Sequence, residues 1–267
     1  MQRLTIAQTE LLRRPGPGPS LVLLHGIGSN AESWLPLIQA LPTDWDVLAW
    51  WAPGYGASAR VASPTPAAYA ARLAAVLEAL GLHQVGLLGH SLGCLFAGAF
   101  ARLAPGRVAR LGFLSPALGY RVPAGAPLPP AVAARIADLE ALGPAEFAAR
   151  RAARLVFEPE RKPQVLAAVR GAMAAVNPPG YADAVHALGA GDLAADAAAL
   201  PFPALVAAGA EDVVTPPANA RALHAALPVG SPLHLIPGAG HALPQEAPAE
   251  LAALLHPWFA CREGTRP

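Results

Sequence analysis

Charge and cysteine are both scarce in this chain of 267 residues. Charged side chains make up 14% of the sequence and their net charge is +1, so no general attraction to nucleic acid or to an anionic membrane surface is expected. Lysine occurs once, as Lys162, and the two cysteines, Cys94 and Cys261, provide no disulfide framework. The partner we expect is therefore a small-molecule substrate, not nucleic acid or a membrane.

Long apolar runs and a targeting segment are lacking as well. Although 54% of the residues are hydrophobic, no uninterrupted apolar run reaches the roughly 20 residues that span a bilayer. Residues 1–12 alternate like a strand, and no basic region followed by an apolar core is found there, so we expect no signal peptide. These two features predict a cytoplasmic protein.

Short apolar runs alternate with helical patterns in the first part of the chain and again near its end. The runs at 21–24, 46–50, 84–88, 108–114, 203–208 and 233–236 resemble buried strands. Such alternation predicts an α/β fold with a mostly parallel sheet flanked by helices on both faces. Loops that carry chemistry are then expected at the carboxyl ends of the strands.

The alternation breaks after Pro116, and no strand pattern returns until about residue 200. One apolar helical stripe there ends at Gly143-Pro144, and a second, from Val165 to Val176, ends at residues 177–180. We interpret residues 119–199 as a helical cap inserted into a core of residues 1–118 and 200–267. The arginines at 150, 151 and 154 predict a solvated face of that cap, with an anion-binding handle for substrate as the alternative.

Gly89-His90-Ser91-Leu92-Gly93 carries the most chemical information. The pentapeptide follows an apolar strand-like run and precedes a helix of small residues that Pro105 ends. Glycine at both second neighbours lets a strand and a helix approach a serine on a very sharp turn. The turn would expose the Ser91 hydroxyl and direct the Leu92 amide into the same space, so Ser91 is the candidate nucleophile.

A serine hydroxyl needs a base to remove its proton and an acid to orient that base. Among eight histidines, His241 is the candidate base because it follows a strand-like run and lies in a loop that contains Gly238 and Gly240. The candidate acid lies after the strand at 203–208, where Glu211 and Asp212 compete. We choose Asp212, since its shorter side chain can be buried against the imidazole, and expect Glu211 to face water.

A candidate oxyanion site follows the strand at 21–24, in His25-Gly26-Ile27-Gly28. Fixed backbone amides stabilise the negative charge of a tetrahedral intermediate, and we assign this task to the amides of Ile27 and Leu92. His25 precedes the serine in the chain, which is the wrong order for the base, and we expect it to bond to local backbone.

Together the motifs resemble those of the α/β-hydrolase superfamily, in its branch of small, cap-bearing serine esterases and lactonases. The segments that carry the resemblance are His25–Gly28, Pro53–Ser58, Gly89–Gly93, Gly209–Asp212 and Gly240–His241. One departure is Trp51, where the family commonly has an aspartate; we expect Trp50 and Trp51 to pack in the core. Heavy use of alanine, arginine, proline and glycine is typical of a GC-rich bacterial genome.

The resemblance implies hydrolysis of a small ester, lactone or thioester through an acyl-enzyme, with no metal and no organic cofactor. Three alternatives stay open: a carbon-carbon bond hydrolase of ring-fission products, a cofactor-free perhydrolase or haloperoxidase, and a non-catalytic ligand receptor on the same fold. Relatives that cleave carbon-carbon bonds often carry asparagine where this chain has His90, which disfavours the first.

Overall fold

One sheet of eight strands organises the computed structural model, which describes residues 1–260. In chain order the strands are β1 (Gln2–Ile6), β2 (Thr9–Arg14), β3 (Ser20–Leu24), β4 (Asp46–Trp50), β5 (Val85–His90), β6 (Val108–Leu114), β7 (Leu205–Gly209) and β8 (Leu233–Ile236). Their order across the sheet is β1-β2-β4-β3-β5-β6-β7-β8. Strands β3 to β8 run parallel, as the alternation of apolar runs predicts.

The amino-terminal segment differs from the sequence prediction. Where the alternation at 1–12 predicts one strand, the chain forms an antiparallel hairpin, β1 and β2, and β2 pairs antiparallel with β4. The turn residues Ala7 and Gln8 both have positive φ, 47° and 59°. Such a two-residue turn matches the twist of a hairpin, but it is usually signalled by Asn or Gly, which are missing here.

Ten α-helices are found in residues 1–260. They are α1 (Leu35–Ala40), α2 (Pro66–Ala79), α3 (Leu92–Leu103), α4 (Pro130–Arg151), α5 (Pro163–Ala174), α6 (Pro178–Ala190), α7 (Leu193–Ala198), α8 (Pro217–Ala226), α9 (Leu243–Glu246) and α10 (Pro248–Ala260). Six of them begin at a proline, whose fixed φ suits the first helical position and whose missing N–H costs nothing there. In the described part of the chain, no helix combines the length and apolar character needed to cross a membrane.

Helices α4 to α7 lie between β6 and β7, in the segment that we call the insertion (residues 119–199). Gly143 has non-helical φ and ψ of 71° and 161°, so the glycine-proline pair ends the first helical stretch of α4 as predicted, and a second stretch follows from Pro144. The second helical stripe ends at Ala174, before residues 177–180 as predicted, and Pro178 and Pro179 also open the next helix, α6. The Arg60 guanidinium binds both Asp183 carboxylate oxygens, at 2.5 and 2.7 Å, and so ties α6 to the loop after β4.

Helix α3 is the centre of the core, with all ten residues from Leu92 to Ala101 buried. Its small residues let it pack closely against the sheet. Cys94 is one of them and is a free, buried thiol, as expected for a small core residue. Cys261 lies outside the described residues. So do residues 262–267, which the sequence analysis assigned to the core.

Candidate active site

Ser91 lies on the sharp turn between β5 and α3 that the pentapeptide predicts. Its φ and ψ are 52° and −116°, a conformation that L-residues rarely adopt and that persists only where the surroundings enforce it. The flanking positions have no room for a side chain, because a Cβ at Gly89 would lie 2.5 Å from the Gly93 carbonyl oxygen. A Cβ at Gly93 would collide with the Leu24 carbonyl oxygen. The chain therefore holds a strained serine at the carboxyl end of the central strand.

His241 and Asp212 meet at the same edge of the sheet, after β8 and β7. The Nδ1 atom of His241 lies 2.8 Å from Asp212 Oδ2, and both side chains are buried. Asp212 Oδ1 accepts hydrogen bonds from the amides of Val214 and Thr215, at 2.8 and 2.9 Å. Burial opposes ionisation of Asp212, but the imidazole and these hydrogen bonds outweigh it and lower the pKa of the carboxyl to about 2. The carboxylate is therefore ionised at neutral pH.

Glu211, the competing acid, points elsewhere. Its Oε2 atom accepts a hydrogen bond from the Ala239 amide at 3.2 Å and braces the loop that leads to His241. The neighbouring carboxylate, Asp212, is the one that contacts the imidazole. Geometry thus separates the two carboxylates in the way that we expected from side-chain length, although Glu211 is only partly exposed and binds backbone as well.

Ser91 and His241 line one cavity of about 340 Å³. An ionised carboxylate only accepts hydrogen bonds, so His241 Nδ1 carries the proton and Nε2 is free to accept one. Within residues 1–260 no hydrogen bond joins the Ser91 hydroxyl to His241. Contacts of this kind are often long in unliganded enzymes and shorten when substrate binds.

Ile27 and Leu92 line the same cavity as Ser91. Their backbone N–H groups have no hydrogen-bond partner in the described part of the chain, and Leu92 is the first residue of α3, where the helix dipole favours negative charge. The loop with Ile27 is packed tightly onto the serine: a Cβ at Gly26 would lie 2.8 Å from Ser91 Cβ. The two amides are thus available to an oxygen bound beside the Ser91 hydroxyl.

His25 holds that loop, as the sequence analysis expects. Its Nε2 atom accepts the Ala52 amide proton at 3.0 Å, so Nδ1 carries the ring proton and donates to the Gly26 carbonyl at 2.8 Å. Burial lowers the pKa of His25 to about 4, which keeps the ring neutral. In residues 1–260 no cluster of three or more His, Cys, Asp or Glu side chains is arranged to hold a metal ion.

Comparison with known proteins identifies the family of the fold. A sequence profile described as the alpha/beta hydrolase fold matches residues 19–248. The chain belongs to the alpha/beta hydrolase fold family. A relative in Klebsiella pneumoniae, named "Putative carbamate hydrolase RutD", is 31% identical over an alignment of 247 positions that covers 85% of this chain and 86% of that protein.

Other family members align over shorter stretches or through structure. The (E)-2-((N-methylformamido)methylene)succinate hydrolase of Acinetobacter baylyi is 32% identical over 101 residues, and the alignment spans only 38% of that protein's own length. An esterase of Thermogutta terrifontis superposes with a TM-score of 0.85 at 27% identity, covering 97% of this chain and 98% of that one. An enol-lactonase of Burkholderia xenovorans shares the fold, with a TM-score of 0.84 at 24% identity, 97% of this chain and 100% of that chain being covered.

Two side chains that touch His241 were missed by sequence reasoning. Thr215 Oγ1 lies 3.0 Å from Asp212 Oδ2 and 3.1 Å from His241 Nδ1. His90 lies 2.8 Å through Nε2 from the His241 carbonyl oxygen, and since a carbonyl only accepts, His90 donates. Burial, followed by the nearby imidazole of His241, lowers the pKa of His90 to about 3. Neither contact has a sequence signal, because each joins residues whose proximity only the fold defines.

The cavity wall opposite the sheet comes from the insertion. Its apolar part includes Phe147, Met173, Tyr181 and Leu188. Arg135, Arg151 and Arg154 line the cavity as well. Arg154 is exposed, as a solvated face predicts, whereas Arg151 is partly buried at the cavity wall. Arg150 does lie in solvent, paired with Glu146 at 2.7 Å. The helical register of α4 and its continuation, not the run of charges, decides which arginines turn inward.

Trp50 and Trp51 do not belong to the lining of this cavity. Both are buried, and Trp50 packs edge-on against Phe96. The Arg3 guanidinium lies over the Trp51 ring, 4.5 Å from its centroid. The two indoles therefore pack the core and the sheet edge, which agrees with the core role that we favoured.

Proposed function

We propose that the protein is a serine hydrolase that cleaves a small ester, lactone or thioester through an acyl-enzyme. One observation carries the proposal: the strained Ser91 shares a cavity with His241, whose ring is held at 2.8 Å by the ionised Asp212. The esterase of Thermogutta terrifontis, at 27% identity over nearly the whole chain, supports the choice of ester chemistry.

In the first half-reaction Ser91 Oγ attacks the substrate carbonyl carbon while His241 Nε2 takes the hydroxyl proton. Asp212 stabilises the resulting imidazolium through the Nδ1 hydrogen bond. The carbonyl oxygen becomes negative and binds the amides of Ile27 and Leu92. Each such donor is worth about 100- to 1000-fold in turnover, because the amides are already fixed in place before charge develops.

The first half-reaction ends when the tetrahedral intermediate collapses to the acyl-enzyme and His241 donates its Nε2 proton to the leaving alcohol or thiol. The second half-reaction releases the acid. Water then attacks the acyl carbon, His241 accepts the water proton, and collapse of the second intermediate returns that proton to Ser91. All of the steps use this chain's own side chains and amides.

Residues 119–199 act as a cap over the site in this proposal, and residues 1–118 and 200–260 form the described part of the hydrolase core. The cap contributes Phe147, Met173, Tyr181 and Leu188 to the cavity, whose volume of about 340 Å³ suits a small substrate. The acyl or alcohol group that fits is set by these side chains, while the catalytic groups come from the loops of the sheet.

The test is turnover of a panel of short 4-nitrophenyl esters, lactones and thioesters by the purified protein. We expect multiple turnover of at least one class, and its loss by about 10⁴-fold or more in Ser91→Ala. Tight binding of a lactone without turnover would instead favour the receptor alternative. Turnover of ring-fission dienoates but of no ester would favour carbon-carbon hydrolysis, and turnover only of acetate with peroxide would favour the perhydrolase.

A further inference from the structure

The charge around the cavity is one-sided. Of the side chains that line it, Arg135, Arg151 and Arg154 are cationic, and no aspartate or glutamate is among them. The chain as a whole is nearly neutral, with a net charge of +1, so this is a local concentration of positive charge. All three arginines come from the insertion, and the walls between them and the sheet are largely apolar.

The arginines differ in how far they are already neutralised. Arg151 pairs with Asp138 at 3.2 Å and lies over the Phe147 ring, 5.0 Å from its centroid. Arg135 and Arg154 form no ion pair with any residue in the described range 1–260. Arg135 is half-buried beside Tyr181, another lining residue. Two guanidinium groups at the cavity therefore lack a carboxylate partner among residues 1–260.

A planar guanidinium matches a carboxylate with two parallel hydrogen bonds, which a neutral substrate cannot offer. A partly enclosed, low-dielectric cavity strengthens such a contact relative to water. We propose that the cavity selects substrates that carry a carboxylate in addition to the scissile bond, such as half-esters of dicarboxylic acids, and that Arg135 is the principal carboxylate ligand. This rests on the proposed serine hydrolase function and names its substrate class.

The test compares two esters with the same leaving group and the same acyl length. One is mono-4-nitrophenyl glutarate, which carries a free carboxylate, and the other is neutral 4-nitrophenyl pentanoate. We expect kcat/KM to be about tenfold or more higher for the charged ester, as for other charge-assisted contacts that one substrate makes and its analogue lacks. Sodium chloride should lower kcat/KM for the charged ester more than for the neutral one, because salt screens partly exposed charges.

Arg135→Gln is the decisive variant, and Arg150→Gln is its matched control. Arg150 is a neighbour of Arg151 on α4, but it lies in solvent and not in the cavity. We expect Arg135→Gln to reduce the ratio of the two kcat/KM values about tenfold, and Arg150→Gln to leave it as in the wild type. Arg154→Gln, at an exposed position where folding is not at risk, should lower the same ratio by a smaller factor.

Failure of this inference can be told from failure of the proposed function. If the neutral ester is hydrolysed as efficiently as the charged one and neither Arg135→Gln nor Arg154→Gln changes the ratio, the substrate assignment is wrong while the serine hydrolase remains. If inorganic phosphate inhibits the enzyme much more strongly than glutarate does, the carboxylate assignment is wrong too. If neither ester is turned over and Ser91→Ala changes nothing, the proposed function itself is wrong.

Discussion

The ammonium group of Lys162, the chain's one lysine, lies 2.9 Å from the Glu246 carboxylate, whose side chain is 0% exposed. Glu246 also accepts the amide of Phe157 in the insertion, at 2.9 Å, and the amide of Gly240, at 3.0 Å. Gly240 immediately precedes His241. One buried carboxylate thus joins the insertion to the loop that carries the candidate base.

Lys162→Ala should destabilise the fold and reduce turnover together. The substitution removes the cationic donor to the buried Glu246 carboxylate, and a hydrogen bond to a charged group contributes about 1.5–3 kcal/mol to the free energy of unfolding. The His241 loop should then be less well fixed, so kcat is expected to fall. Urea unfolding and ester turnover measure the two effects.

Arg161→Ala is the matched control for Lys162→Ala. Arg161 is adjacent in the chain, but its side chain is 73% exposed and its pair with Glu158 spans one helical turn at the surface. Exposed pairs contribute little, so stability and turnover should stay close to wild type. Equal losses in the two variants would contradict the role that we give to the Lys162–Glu246 pair.

Asp212→Asn should damage catalysis far more than Glu211→Gln. An amide at 212 no longer stabilises an imidazolium and can impose the wrong histidine tautomer, which costs about 10⁴-fold in turnover where such a triad has been altered. The Glu211 side chain binds the Ala239 amide and does not contact the imidazole, so Glu211→Gln should cost less than about tenfold. Steady-state kcat for the two variants checks the ranking, and the reverse order would move the acid to 211.

His90 should make stability depend on pH. Its pKa is lowered from 6.5 to about 3 in the fold because burial disfavours the imidazolium, so between these values the unfolded chain binds a proton that the folded one does not. The stability that neutral His90 contributes is therefore fully present above pH 6.5. As the pH falls from 6.5 toward 3, the free energy of unfolding declines by up to about 1.4 kcal/mol for each pH unit. His25, with its pKa lowered to about 4, acts in the same direction.

His90→Asn should flatten this dependence without abolishing it, since His25 remains. Urea unfolding between pH 4.5 and 6.5 is the measurement, in steps of about half a unit, a window that lies above the range in which Asp212 titrates. A slope in His90→Asn as steep as in the wild type would show that His90 is not held neutral by the fold.

Much of the fold could be predicted because its signals are local. Runs of apolar residues define β3 to β8, prolines open six helices, and glycines at 89 and 93 are required by the contacts at the turn. The hairpin at residues 2–14 could not, since Ala7 and Gln8 adopt positive φ without the usual turn residues. The start of α6 at Pro178 was not predicted, although proline suits the first position of a helix, because the same residues had been interpreted only as the end of α5.

The candidate site likewise contains residues that local sequence signals predict and residues that they do not. Ser91, Asp212 and His241 are each marked by a neighbouring glycine and a preceding strand, which is information within a few residues. Thr215 and His90 act through contacts with His241 over 26 and 151 positions of the chain. The arginines that line the cavity depend on how α4 packs against α5 and α6. Tertiary packing alone decides these contacts.

The central claim is that the Ser91 hydroxyl is a nucleophile activated by His241. Its most direct test is intact-protein mass spectrometry after reaction with a fluorophosphonate probe, followed by peptide mapping of the adduct. We predict one adduct per chain on the peptide that contains Ser91, strongly slowed in His241→Ala and missing in a folded Ser91→Ala. An adduct that persists in Ser91→Ala, or that maps to another residue, would contradict the account.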